Sequence, residues 1–167
     1  MGYVHDTAMS QFIAPNLFHT PGGTWTNVAG QVTSTIVRHV AAADQTILVN
    51  IPVVIPSNSV ALKGSLLKSI EIDYEILVAA CDACTFVVNK VTRGADTAVA
   101  VVSAVTVTQA VTDANAKTVD QHKQTLTITT PFYLLNTEYV LVEMTVNQAA
   151  TTTVDLLGAV VNYTLRV

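Results

Sequence analysis

Short runs of alternating apolar and polar residues, separated by turn signals, follow one another from Trp25 to the end of the chain. The clearest covers residues 70–78, where Ile70, Ile72, Tyr74, Ile76 and Val78 fall on one side and Glu71, Asp73 and Glu75 on the other. A period of two puts those sets on opposite faces of a strand, one against a core and one toward water. Residues 138–146 set Val140, Val142, Met144 and Val146 against Tyr139, Leu141, Glu143 and Thr145. Residues 125–130 and 158–167 alternate in the same way, and further β-type runs lie at 31–40, 45–55, 85–92 and 97–108. Turn signals separate them at Ala43-Asp44, at 56–59, at Cys81-Asp82-Ala83-Cys84, at 93–96 and at 113–116. Pro52 has no amide hydrogen to give a ladder, so it marks the run at 45–55 as an edge strand or a bulge. No segment keeps a helical period, and only 104–118 leaves room for one short helix.

Eight or nine short strands in about 140 residues predict an all-β fold: an antiparallel β-sandwich of jelly-roll type, formed as one domain by residues 25–167. An immunoglobulin-type sandwich is the rival, but Cys81 and Cys84 are too close in sequence to form its cross-sheet disulfide. Residues 1–24 read differently. Pro15, Pro21, Gly22 and Gly23 interrupt them, and Phe12, Ile13, Leu17 and Phe18 follow neither a strand nor a helix period. They predict an extended N-terminal arm, outside the strands and helices of the core, that docks on its own domain or on a neighbour. Removing it is expected to leave the β fold intact.

Composition narrows the classes. The chain has 167 residues, of which 27 are valine and 24 threonine, and half are hydrophobic. A chain this long can bury a core without disulfides or metals. A net charge of −4 argues against a nucleic-acid partner, which selects a basic surface. The first residues lack the basic start and long apolar run of a signal peptide, and Asp6 stands where a myristoylation signal has Ser or Thr. The uncharged stretch 97–112 is too short and too polar to cross a bilayer. The expectation is a soluble protein made in the host cytoplasm, with no membrane partner.

The candidate chemistries each lack a part. Cys81-x-x-Cys84 has β-type sequence on both sides, not the helix N-terminus that lowers a redox thiol's pKa. His5, His19, His39 and His122 have no ligand spacing for zinc. Glu71, Asp73 and Glu75 form an acidic row that could hold Ca²⁺ or meet a basic row on a partner, although a solvated charged face is the plainer reading. Asp113-x-Asn115-x-Lys117 begins like a calcium loop but puts a lysine at a ligand position. No Gly-x-Ser-x-Gly elbow or phosphate-binding glycine loop occurs, and Asp120 and His122 have no nucleophile beside them. His122 reads as a loop residue. No enzyme, no cofactor and no metal site is expected. The threonine ladder at 125, 127 and 129 lacks the repeat that ice binding needs, and Asn162-Tyr163-Thr164 matches a glycosylation acceptor by coincidence.

The anomaly is the surface. Charged residues make up 12% of the chain, about half the usual share. Runs such as 99–107 would invite aggregation on an exposed edge. Burial by neighbours in a symmetric oligomer or a larger assembly explains both features.

The Ala29-Gly30-Gln31-Val32 start, the Ala41-Ala42-Ala43-Asp44 turn and the ending at 158–167 resemble small β-rich proteins of tailed-bacteriophage structural gene sets. The plan, an arm followed by a low-charge β domain, is similar to that of jelly-roll capsid decoration (cement) proteins. The resemblance implies a virion protein on the capsid surface, trimers that clamp the capsid lattice, and an arm reaching onto the major capsid protein. It transfers no functional residue. Phe12, Ile13, Leu17, Phe18 and Trp25 are the expected partner-binding residues, from the arm and its junction. The alternatives are a head-fibre or tail component, a carbohydrate- or receptor-binding sandwich with an exposed aromatic platform, and a metal enzyme on a cupin-like barrel.

Overall fold

A computed structural model describes residues 5–29, 35–57, 64–94 and 98–166. Within them, eleven strands run β1 Asp6–Ile13, β2 Trp25–Ala29, β3 Thr35–Val40, β4 Gln45–Val53, β5 Gly64–Leu77, β6 Cys81–Thr92, β7 Val101–Val105, β8 Val107–Gln109, β9 Asp120–Tyr133, β10 Glu138–Gln148 and β11 Thr153–Arg166. One helical turn, α1, spans Asp113–Ala116, inside the region left open for a short helix. The runs expected at 31–34 and the turn residues 58–59 and 95–96 lie outside the described residues.

The strands form two antiparallel sheets, β2-β3-β11-β5-β9-β8 and β4-β10-β6-β7, with β1 joined to β11. The chain passes from β3 across to β4, back to β5 and over to β6, and later from β9 to β10 to β11. The quartet β3-β11-β5-β9 therefore faces β4-β10-β6-β7, and this two-sheet winding is a jelly roll. The expected architecture holds. Only Thr106 separates β7, in the four-stranded sheet, from β8, in the other, so the chain turns the corner between sheets in a single step. β4 is an edge strand, as Pro52 requires.

Alternation becomes burial. Ile70, Ile72, Tyr74 and Ile76 of β5 meet Val140, Val142, Met144 and Val146 of β10 and Ile47, Val49 and Ile51 of β4 in one core. Val78 departs from the pattern: β5 ends at Leu77, and Val78 turns outward with φ of 69°. The turn there also lies upstream of the expected one, because Cys81 to Cys84 already belong to β6.

The N-terminal segment needs a larger correction. Residues 6–13 are a strand, paired with β11 from Asp6↔Arg166 to Ile13↔Ala159. A turn of 3-10 helix at Pro15–Leu17 follows, and His19 bridges to Asn50 at the edge of β4. Ile13 and Phe18 belong to the domain's own core. The segment is therefore an edge of the sandwich and not a separate arm, and removing it would strip one side of β11.

Gly158 fixes that junction. It lies at a register shift in β11, has φ of 142°, and a Cβ there would come 2.5 Å from Phe12 Cζ and 3.2 Å from the Ile13 carbonyl oxygen. Gly158→Ala is expected to cost about 2 kcal/mol, a fall in Tm of roughly 4–8 °C for a domain this size. Adding Phe12→Ala should restore only the part due to the ring contact, and calorimetry on the single and double variants separates it from backbone strain.

Candidate functional site

Both cysteines are free and buried in β6. Burial, reinforced at Cys81 by the nearby Asp82, pushes its thiol up to about 11, and burial is also the main cause that pushes Cys84 up to about 12. A thiol held protonated in this way is a poor nucleophile at neutral pH. His122 is buried in β9 and not in a loop: its Nε2 lies 2.8 Å from the Thr118 carbonyl oxygen and its ring packs 5.1 Å from that of Tyr74. Among the described residues, no three His, Cys, Asp or Glu side chains converge as a metal site.

One member of the acidic row, Glu71, has a cation within the chain, and a second ion pair lies beside the row. Arg38 on β3 grips Asp155 on β11 with two hydrogen bonds, of 2.7 and 2.6 Å, and Asp155 is only 1% exposed. Register places Arg38, Asp155 and Glu75 side by side on β3, β11 and β5, and Glu75 adds to the field that raises the Arg38 pKa. Lys123 on β9 pairs with Glu71, which also accepts a 2.9 Å hydrogen bond from Asn162 Nδ2. The Lys123 bond is the main cause holding the Glu71 carboxyl below its ordinary value, while burial raises that of Asp73. The outer face of the seven-stranded sheet is therefore charged, with Asp155 and Glu71 paired to cations from neighbouring strands.

The other outer face is built differently. Register aligns Thr46, Leu48, Asn50 and Pro52 of β4 with Asn147, Thr145, Glu143 and Leu141 of β10. It then aligns Asn147, Thr145, Glu143, Leu141 and Tyr139 with Ala83, Thr85, Val87, Asn89 and Val91 of β6. Ala104 and Val102 of β7 complete the rows beside Asn89 and Val91. Glu143 is the one charged residue in this set. Tyr139 at 48%, Val87 at 42% and Val102 at 61% exposure stand open to solvent. Val91 is buried yet lies outside the core cluster, as expected of a residue covered by Tyr139 and Val102 on the outer side. Among the described residues, these four strands neighbour one another within their sheet, with α1 beside β6.

Of the five residues expected to bind a partner, Phe12 and Leu17 are each 60% exposed. Ile13 and Phe18 are used up in the core, which corrects that part of the expectation. Trp25 is half-buried, its Nε1 donating to the Gly22 carbonyl oxygen at 2.8 Å and its ring 5.1 Å from that of His39. The nearly uncharged sheet face was not singled out from sequence. Its signal was present in β10, where positions 139, 141, 143, 145 and 147 carry a single charge.

No family model matches this chain, and no curated protein matches it. Among solved structures it is similar to the carbohydrate-binding module TmCBM61, determined in complex with β-1,4-galactotriose. That match has 7% identity and a TM-score of 0.45, and it covers 96% of this chain and 88% of the other.

His39 gives a pH test of the packing beneath the N-terminal segment. It is buried between Trp25 and Gly23, its Nδ1 has no hydrogen-bond partner, and burial lowers its pKa despite an opposing contact with Gln148. The unfolded chain takes up the proton near the ordinary value of 6.5 and the folded chain resists it, so this contribution to stability is intact above that pH and lost as pH falls below it. Between about pH 6.5 and 5, above the range of ordinary carboxylates, Tm is expected to fall for the native chain and to fall less for His39→Phe. Thermal scans across that window check it.

Proposed function

We propose that this chain is a non-enzymatic structural protein of a virion, a capsid decoration protein that binds the outside of a phage head and stabilises its lattice. The observation that carries the reading is the outer face of the four-stranded sheet, where one charge stands among some sixteen aligned positions. A face of that composition is poorly suited to lasting exposure and well suited to burial in an assembly. The opposite sheet pairs Arg38 with Asp155 and Lys123 with Glu71 and keeps the negative charge of Asp73 and Glu75, a surface suited to water, which makes the other face and the N-terminal edge the contact surfaces.

On this reading the domain acts mechanically, by burying area against several neighbours so that separating any one of them costs free energy. Phe12 and Leu17, with Met9 on the same segment, supply the apolar contact to the major capsid protein, and copies of the chain meet through the uncharged face. The resemblance implies a homotrimer, but a single flat face pairs copies two at a time, so the oligomer proposed is a dimer. The half-buried Trp25 is engaged with His39 and offers no open platform for a sugar ring.

The chain is expected in purified virions at a copy number comparable to that of the capsid protein, and Leu17→Glu, at an exposed position, should reduce its occupancy on purified heads at least tenfold without lowering Tm. Quantitative mass spectrometry and co-sedimentation read both. Virions lacking the chain, or selective glycan-array binding by the isolated protein, would overturn the proposal.

A further inference from the structure

We infer that the outer face of the four-stranded sheet docks a second copy of this chain, face to face about a two-fold axis. The inference does not depend on the capsid reading: a chain that pairs in this way but never binds a phage head fails one proposal and not the other.

Area supports it first. β10 has 11 residues, so four strands at about 4.8 Å spacing and about 3.4 Å per residue make a face of roughly 600 Å², allowing for the short β7. Two such faces bury about 1,200 Å², which reaches the lower end of the range for specific, stable protein interfaces. An edge contact through the five residues of β7 alone falls well short of that.

The chemistry points to a copy rather than to a different protein. Thr85, Thr145 and Asn89 each carry both a donor and an acceptor, and the Asn147 amide keeps its donors free while its Oδ1 accepts from Thr46 at 3.3 Å, so a surface built from them can satisfy a copy of itself. The apolar group, Leu141, Tyr139, Val91 and Val102, lies toward one end of the face. A two-fold axis can bring that end onto its counterpart, making one continuous apolar contact framed by amides and hydroxyls. A charged partner would be selected by complementary charge, and this face offers only Glu143 as a charge to select. Glu143 sits between Asn50 and Val87, with no cation aligned beside it on either neighbouring strand. In the pair its carboxylate loses water and faces amides at best, so it weakens the contact it sits in.

The second surface with exposed valines supports the same choice. Val99 and Val101 flank the open edge of β7, where neither proline nor charge blocks pairing, whereas the β4 edge carries Pro52 and is bridged by His19. An open β7 edge lies at the rim of the proposed contact and is narrowed when the second copy lies across Val102 and Ala104.

Sedimentation equilibrium of the full chain, from about 1 to 200 µM, tests the inference over the affinities an interface of this size allows. The native chain is expected to approach a dimer mass. Leu141→Lys or Thr145→Lys should weaken association at least tenfold, Glu143→Gln should strengthen it several-fold, and Thr125→Lys on the opposite sheet should leave it unchanged. Thermal scans identify any lysine variant that fails to fold, and the two lysine sites act as substitutes for each other. A monomer at the highest concentration, a trimer mass, or a dimer indifferent to both lysine variants and to Glu143→Gln would overturn the inference.

Discussion

A two-layer sandwich has four sheet faces, and strand alternation assigns every residue to one of them. The two inner faces are mainly apolar because they form the core between the sheets, with Lys90 and Glu138 paired at its margin. Whatever charge the sequence holds must then be placed on the two outer faces, the edges and the loops. This chain has few charges and divides them unevenly. Arg38, Asp155, Glu75, Glu71, Asp73 and Lys123 all gather on the outside of the seven-stranded sheet, while Glu143 alone occupies the outside of the other. Both cations there are paired, Arg38 with Asp155 and Lys123 with Glu71. Asp155, almost without exposure, is tolerable only because the Arg38 guanidinium meets both of its oxygens.

The same division organises the rest of the molecule. β11 is the shared strand of the charged sheet: it pairs with β5 along its length, and its other edge is divided between β3 and β1. The N-terminal segment is thereby committed to the charged side, through Gly158, where no larger side chain can be accommodated against Phe12 and the Ile13 carbonyl. β7 and β8 close one side of the sandwich by changing sheets at Thr106. These two choices leave the four-stranded sheet with its outer face uncovered by any of the described strands.

Much of the fold was legible in the chain because burial on one face imposes a period of two. The runs at 70–76 and 138–146 became β5 and β10 with their apolar positions at the core, and Pro52 marked a true edge. The N-terminal strand was not legible. Its residues 6–11 lie at an exposed edge and carry no alternation of burial, while Ile13 and Phe18 reach the core on either side of a 3-10 turn, a spacing that fits no regular period. His122 looked like a loop residue because nothing near it in sequence discloses the Tyr74 ring against which it packs. The candidate surface was half legible. Low charge implied that some surface would be nearly uncharged, but alternation within one strand does not say which strands become neighbours. Only the register of β4, β10, β6 and β7 collects Leu141, Tyr139, Val87 and Val102 onto one face with a single carboxylate.

Hydroxyl-radical footprinting of the native chain over a concentration series addresses that face most directly, because it reports which side chains become covered as copies meet. Oxidation of Tyr139, Leu141 and Val87 is expected to decline with rising concentration, while oxidation of Met9 and of Val78, which lie off that face, stays constant. Constant oxidation of Tyr139, Leu141 and Val87 at every concentration would contradict it.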